Sequence, residues 1–312
     1  MSTYKIIVNP ISGRGAGEKS IPEIHRLLAN EDIEYDLIKT ERPGHAIELT
    51  QNACIQGYKV VVAVGGDGTA NEVLNGLMRS KQEHGKACAM GVVGVGRGND
   101  FAFGANVAIG LEEGCHSLLE GFRRPIDVGK VTGGDYPGGR YFGNGVGIGF
   151  DAVVGFVAAK MKRLSGFPSY LVSALKTIFL YYHAPLVRMD FDGQQLQLSS
   201  LMISIMNGRR MGGGFLMAPN AHPDDGLLDL CVAEEVSKAR IFALIPKFMQ
   251  GTQATQSGIH TAQARKVTVT ALQGSLPVHA DGETICTEGK EITVELMARQ
   301  IEIICKPPEG KS

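Results

Sequence analysis

The chain has no tryptophan, and aromatic residues fill only 6% of its 312 positions, so its core must be built from aliphatic side chains. Charge of neither sign dominates. Against 31 lysines and arginines stand 32 aspartates and glutamates, a net charge of −1, which argues against a general nucleic-acid binder. Attraction to an anionic surface would have to come from a local cluster. The six cysteines, Cys54, Cys88, Cys115, Cys231, Cys286 and Cys305, never fall into C-x-x-C, and H-E-x-x-H is absent, which leaves a zinc site without support. They read as buried, reduced thiols. No run supplies the ~20 uninterrupted apolar residues of a membrane-spanning helix. Met1-Ser2-Thr3-Tyr4-Lys5-Ile6-Ile7-Val8 lacks the charged-then-apolar pattern of a signal peptide, so the cytosol is the expected location. The length suits two domains.

What is present is an alternation. Apolar strand-like runs at 4–8, 35–39, 59–64 and 90–95 are interleaved with helical patterns at 20–29, 44–56, 70–79 and 111–121. Strands and helices in alternation predict a parallel sheet covered on both faces, with ligands beyond the carboxyl ends of the strands. Three loops lie there: 9–17, 65–69 and 96–100. The pattern changes near residue 127. Strand-like runs at 187–192, 196–206, 227–233, 267–271 and 291–296, separated by Asp-Gly turns, predict an antiparallel β domain interrupted by helices at 153–161, 170–182 and 238–249. The domain bounds expected are 1–128 and 129–297, with the last strand, 300–305, able to return to the first domain.

The chemistry gathers in a few motifs. Val60-Val61-Val62-Ala63-Val64 runs into Gly65-Gly66-Asp67-Gly68-Thr69, after which a helix begins. Glycines closing a buried strand at a helix N-terminus let main-chain N–H groups approach phosphate oxygens. Asp67 adds a negative charge beside phosphate, which makes sense chiefly with a divalent cation between them. The bland alternative, a turn whose Asp67 caps the helix, leaves the three glycines unexplained. The loop Asn9-Pro10-Ile11-Ser12-Gly13-Arg14-Gly15-Ala16-Gly17 is not a Walker loop, since no Gly-Lys-Ser/Thr occurs, but it can form a second phosphate clamp. Gly96-Arg97-Gly98-Asn99-Asp100 offers a charge at Arg97, or only a structural turn. In the second half, Asp225-Gly226 reads as a cation loop or a hairpin. Asp281-Gly282-Glu283 supplies two carboxylates, one of which could accept a hydroxyl proton. Lys160, Lys162 and Arg163 before an apolar helix could dock on a bilayer, though a core helix with a solvated basic face is the preferred reading.

Taken in order, these segments resemble the diacylglycerol kinase catalytic-domain superfamily, closest to its soluble bacterial lipid kinases. The carriers are Val8-Asn9-Pro10 with Ser12-Gly13, Gly65-Gly66-Asp67-Gly68-Thr69 with Asn71-Glu72-Val73, and Gly98-Asn99-Asp100-Phe101-Ala102. They continue with Gly147-Ile148-Gly149-Phe150-Asp151-Ala152, Gly212-Gly213-Gly214, Asp225-Gly226-Leu227-Leu228-Asp229 and Asp281-Gly282-Glu283. The resemblance implies an α/β plus all-β fold of the NAD-kinase/diacylglycerol-kinase type, with a parallel nucleotide-binding domain, a C-terminal antiparallel β-sandwich and an active site in the cleft between them. It implies ATP and Mg2+ as cofactors. ATP would bind Gly65, Gly66, Asp67, Gly68 and Thr69, with Asn9, Pro10, Ser12, Gly13, Thr40, Asn71, Glu72 and Arg97 completing the set. Arg97 stands where many bacterial members carry threonine. Asp67 would organise magnesium, and Glu283, partnered by Asp281, would take the proton. A structural cation would lie on Asp225 with main-chain oxygens of His222 and Leu227. The acceptor expected is a lipid hydroxyl at a membrane surface, that of diacylglycerol foremost. A soluble acceptor as in NAD kinases, and a non-catalytic nucleotide- or lipid-binding regulator, are the alternatives, and a homodimer is left open.

Overall fold

The computed structural model describes residues 3–29, 33–96, 98–159, 167–180 and 183–307. The chain divides into two compact units, Met1–Asp127 with Ala298–Ser312, and Val128–Met297.

The first unit is the expected alternation: β1 (Tyr4–Val8), α1 (Ser12–Leu28), β2 (Tyr35–Lys39), α2 (His45–Gln56), β3 (Val60–Gly65), α3 (Asp67–His84), β4 (Ala89–Gly94), α4 (Asp100–Gly104) and α5 (Leu111–Glu120). The strands are parallel in the order β4-β3-β1-β2. Every residue of β3 and β4 is buried, as continuous apolar strands covered on both faces must be. One face packs Ile6, Val8, Val62 and Val64 against Ile24 and Leu28 of α1 and Leu118 of α5. The opposite face takes α2 and α3, which pack on each other. Gly76 allows that pairing: a Cβ there would meet the Ile47 carbonyl oxygen and Thr50 Cβ, both at 2.6 Å. Two helices start earlier than the sequence pattern predicts. Residues Asp67, Gly68 and Thr69 are already helical, and α1 begins at Ser12 but is interrupted at Gly13, Arg14 and Gly15, all with positive φ.

The second unit follows with β5 (Arg123–Gly133, which begins in the first unit), β6 (Tyr136–Phe142), β7 (Gly145–Gly149), α6 (Phe150–Ala159), α7 (Phe167–Leu180), β8 (Leu186–Phe191), β9 (Gln194–Met206), β10 (Leu228–Glu234), α8 (Lys238–Gln250), β11 (Ile259–Ala264), β12 (Lys266–Gln273), β13 (Leu276–Ala280), β14 (Glu283–Gly289) and β15 (Glu291–Ile304). The pairings β5–β6, β7–β9, β7–β13, β8–β9, β8–β12, β9–β10, β10–β11, β12–β15 and β13–β14 are antiparallel. Long β9 serves two sheets. Its first half pairs with β8, which leads on to β12 and β15; its second half lies between β7 and β10. The alternation in β8, with Val187, Met189 and Phe191 buried and their neighbours half-buried, is that of a sheet with one core face. Val187, Met189, Val267, Val269 and Ile292 meet Val146, Ile148, Ile203, Ile205 and Val278 in one core, the interior of a sandwich.

Strands β5, β6, β7, β11 and β14 escape the sequence pattern, and β7 does so because it reads Gly145-Val146-Gly147-Ile148-Gly149. The glycines answer to crowding: a Cβ on Gly147 would meet Asp151 Oδ2 at 2.2 Å and His279 Nε2 at 2.4 Å. The two strands expected at 291–296 and 300–305 are one, β15. It turns at Arg299, whose φ is +51° and whose N–H donates to Asp127 Oδ1 at 2.7 Å; Ile303 beyond pairs in parallel with Met90. All six cysteines are free and buried. Burial pushes the Cys115 thiol up to about 11 and the Cys231 thiol up to about 12, so both stay protonated and inert. No helix among the described residues is long and apolar enough to cross a membrane.

Gly76→Val should overpack the α2–α3 contact and destabilise the fold by about 1–3 kcal/mol, measured as a lowered urea midpoint; an unchanged midpoint would mean the two helices do not depend on that approach.

Candidate functional site

Parallel pairing brings the carboxyl ends of four strands to one edge of the first unit. Val8 lies beside both Lys39 and Val64, and Gly65 beside Gly94. Main-chain bonds carry the register past the strands: Thr40 N to Val8 O at 2.8 Å, Asn9 N to Val64 O at 3.0 Å, and Val95 N to Gly65 O at 3.0 Å. The loops are then tied together. Asn9 Nδ2 donates to Thr69 Oγ1 at 3.1 Å, and Ser12 Oγ donates to Asn9 O at 2.8 Å. A Cβ on Gly96 would sit 3.0 Å from the Gly66 Cα, so these two loops meet backbone to backbone. Asn9, Pro10, Ser12, Thr40, Gly65, Gly66, Asp67, Gly68 and Thr69 are thus gathered at one edge, with Gly13 following on the same loop. Arg97 lies outside the described residues, as do Lys160, Lys162 and Arg163.

Asp67 occupies the first turn of α3, where the helix dipole favours an anion. It is not the cap, which is Gly66. Its Oδ1 accepts from Phe101 N at 3.1 Å, so the carboxylate holds the start of α4 next to the start of α3. Arg14, with φ +61°, lies between the positive-φ glycines Gly13 and Gly15. A non-glycine residue held left-handed costs about 1 kcal/mol or more, and such strain concentrates at ligand clamps.

Two expected nucleotide residues have other occupations. Glu72 accepts from Gly44 N at 2.8 Å and Ala46 N at 3.1 Å, capping α2 from α3. Asn71 is buried and accepts from Asn75 Nδ2, at 2.8 Å through its carbonyl and 3.2 Å through its side chain. Both hold the scaffold behind the glycine turn.

For magnesium the donor set is sparse but suitable. The ion takes one or two carboxylates and leaves its other positions to phosphate oxygens and water, and Asp67 is the carboxylate set in the glycine turn. Among the described residues no group of three or more His, Cys, Asp or Glu could hold an ion unaided. At the second expected cation loop, Leu227 N donates to Asp225 Oδ1 at 2.9 Å and Asp225 N reaches His222 O at 3.4 Å. These bonds are accounted for by a turn that closes on itself.

In the second unit, Asp281 and Glu283 have opposite environments. Asp281, at φ +48°, is buried. Its carboxylate accepts from Gly143 N at 2.8 Å and from Asn144 N and Gly145 N at 3.0 Å each, which pins the turn between β6 and β7. Glu283 keeps 42% of its side chain exposed, with Arg140 Nη2 at 3.8 Å. Asp281 is a builder of the turn, and Glu283 is the member with an accessible carboxylate.

The same unit holds a cluster that motif reading passed over. Asp151, buried at the start of α6, accepts from the Tyr170 hydroxyl and faces His279 Nε2 at 3.3 Å; His279 Nδ1 is buried without a hydrogen-bond partner. Asp151 and Tyr170 stand on the wall of a cavity of about 60 Å³, otherwise lined by apolar side chains such as Val154, Leu244 and Phe248. Asp151 lies within the family segment noted in the sequence, but nothing local points to His279, whose partner is 128 residues away.

A parallel unit with glycine-rich strand ends, followed by an antiparallel sandwich, is the two-domain plan of lipid kinases and NAD kinases. Residues 3–131 match the diacylglycerol kinase catalytic domain, and residues 144–305 match the YegS C-terminal NAD kinase beta sandwich-like domain. The chain is 28% identical over 298 residues to a diacylglycerol kinase of Mycobacterium tuberculosis, covering 95% of this chain and 93% of that protein. It is 25% identical over 280 residues to a diacylglycerol kinase of Staphylococcus carnosus, covering 89% and 88%. To the "Probable lipid kinase YegS-like" of Pseudomonas aeruginosa it is 29% identical over 283 residues, covering 90% and 88%. A solved diacylglycerol kinase from Bacillus anthracis has the same fold, with a TM-score of 0.74 at 21% identity over 98% of this chain and 97% of that one. Yeast NADH kinase shares it more distantly, with a TM-score of 0.51 at 12% identity over 99% and 84%. The chain belongs to the diacylglycerol kinase/YegS family.

Asp281→Ala should strip three buried amides of their acceptor and lower stability by about 3 kcal/mol or more, whereas Glu283→Gln, on an exposed side chain, should leave stability within about 0.5 kcal/mol of the original. Equal melting of the two variants in calorimetry would contradict the division of labour within this pair. Glu72→Ala should cost about 1–2 kcal/mol through the lost cap of α2, read as faster amide exchange at Gly44 and Ala46.

Proposed function

We propose that this chain is an ATP-dependent lipid kinase that transfers the γ-phosphate to a lipid hydroxyl, diacylglycerol being converted to phosphatidate. Family membership supports phosphotransfer as the chemistry. The glycine edge of the first unit supports the nucleotide half: donors from the loops after β1, β3 and β4 converge there, and helix N-termini point the same way. Magnesium bound with the triphosphate would neutralise charge on the transferred group, and Asp67 is the residue that would hold it.

The observation that carries the lipid reading, over a soluble acceptor of the NAD type, is the cavity of the second unit. It is apolar but for Asp151 and Tyr170 on its wall. Its volume is about 60 Å³, and apolar walls favour apolar ligand groups over water. Alkyl groups fit such a lining. A buried carboxylate and a hydroxyl beside an apolar space suit an amphiphile, with the chain inside and the polar end at the wall. Glu283 is the proton acceptor in this reading. The reaction requires it and the bound nucleotide to come within reach of the same hydroxyl.

The deciding experiment supplies purified protein with Mg-ATP, diacylglycerol and other lipids in mixed micelles, and separately NAD, and identifies the phosphorylated product. Phosphatidate is expected. Phosphorylated NAD with no lipid product would decide for the soluble acceptor, and tight ATP binding with no product for a regulator. Asp67→Ala should abolish lipid phosphorylation with the fold intact, and Glu283→Gln should lower kcat by about 100-fold or more. Full turnover by Glu283→Gln would remove Glu283 as the acceptor.

A further inference from the structure

The seam between α2 and α3 ends in two thiols. Gly76 of α3 packs on Thr50 of α2; one turn further along each helix, Ser80 meets Cys54. The chain then leaves α2 through a turn in which Gly57 N donates to Cys54 O and Tyr58 N to Ala53 O, each at 3.2 Å. The Tyr58 carbonyl oxygen accepts from Cys88 Sγ at 3.1 Å. Next to it, Ala89 N donates to Lys59 O at 2.9 Å, so Cys88 arrives beside the same turn as β4 begins. The two sulfurs, distant along the chain, are hydrogen-bonded to each other. Both residues are nearly enclosed, with Cys54 3% and Cys88 7% exposed.

This pair differs from other buried thiols of the chain. Burial pushes Cys115, Cys231 and Cys286 up. Cys54 is comparably buried, yet the hydrogen bond from Cys88 holds its thiol below the usual range, and the Ser80 hydroxyl adds to the effect. Ser80 Oγ is buried with no other hydrogen-bond partner. Cys88 moves the opposite way, through the same hydrogen bond and through burial. One sulfur therefore carries thiolate character and the other keeps its proton beside it, the division between an attacking and a resolving thiol. A metal does not explain the pair. A structural zinc takes four ligands, and no group of three or more His, Cys, Asp or Glu among the described residues could hold an ion.

We propose that Cys54 and Cys88 are a dithiol that a hydroperoxide converts to a reversible disulfide, cross-linking the end of α2 to the start of β4. The Cys54 sulfur attacks one peroxide oxygen and the O–O bond breaks. The other oxygen leaves as an alcohol, or as water from hydrogen peroxide, and Cys54 becomes a sulfenic acid. The Cys88 sulfur then attacks the Cys54 sulfur. The S–S bond forms, the S–O bond breaks, and the oxygen leaves as water with the Cys88 proton. Two thiols are oxidised and one hydroperoxide is reduced. Hydrogen peroxide is little larger than water, which suits so enclosed a pair, and the second step stops Cys54 short of irreversible over-oxidation. The ring closed by the cross-link contains β3, the glycine turn and α3, so it restricts the unfolded chain and stabilises the first unit. The bond lies at the amino end of β4, opposite Gly94 and the glycine edge. The proposal is independent of the kinase reading.

The test treats the folded full chain with hydrogen peroxide, blocks the remaining thiols, and maps the digested peptides by mass spectrometry. Loss of two of the six thiols is expected, with the peptides of Cys54 and Cys88 joined within one molecule and separated again by dithiothreitol. The oxidised chain should have a higher urea midpoint than the reduced one. In Cys88→Ser, dimedone should capture a sulfenic acid at Cys54, since the resolving thiol is gone. Retention of all six thiols by the folded chain, a cross-link between any other pair, or a Cys54–Cys88 bond that forms only in urea would each overturn the proposal. Capture of Cys88 in Cys54→Ser, without capture of Cys54 in Cys88→Ser, would overturn the order of attack.

Discussion

The site depends on the meeting of two main chains at Gly66 and Gly96, where no side chain intervenes. Parallel pairing of β3 and β4 delivers their ends side by side, and the absence of a Cβ on either glycine lets the following loops touch. Phosphate recognition by main-chain N–H groups is possible only where backbone can reach the ligand. Much around this contact is bracing. Asn9 ties the β1 loop to Thr69, Asp67 holds the start of α4, and Glu72 holds α2. The carboxylates of this edge, Asp67 and Glu72, act as fasteners between elements.

In the second unit one carboxylate plays the corresponding part. Asp281 gathers three consecutive amides and so positions the turn between β6 and β7, leaving Glu283 two residues on to face outward. Two acids in one short motif are thereby separated by environment into a buried builder and an accessible carboxylate. The glycine pattern of β7 belongs to the same construction, since the space its missing side chains leave is filled by Asp151 and His279.

The second unit also accepts costs that a purely structural domain would remove. It keeps an apolar cavity with a carboxylate and a hydroxyl on its wall, a buried imidazole nitrogen without a partner, and exposed phenylalanines on α7 and α8. Each is unfavourable in water. Their concentration on α6, α7, α8 and the strands beneath them gives the acceptor reading its coherence.

The amino-acid order by itself settled what is local or periodic. The β-branched run at 60–64 ending in glycine, the alternation of strands and helices, the change to period-two patterning after residue 127 and the family's ordered motifs all follow from side chains read along the chain. The parallel unit and most strands of the sandwich were therefore legible, as were the residues gathered at the first unit's edge. Contacts between distant positions could not be read that way. That Glu72 caps α2, that Asp281 is held by residues 143–145, that Asp151 faces His279 and that α8 exposes an apolar face all depend on which surfaces come together. Glycine-rich β7 was missed for the same reason, since its lack of side chains is explained only by the neighbours that occupy their place. Sequence records the preferences of each residue, and tertiary packing alone assigns the partners.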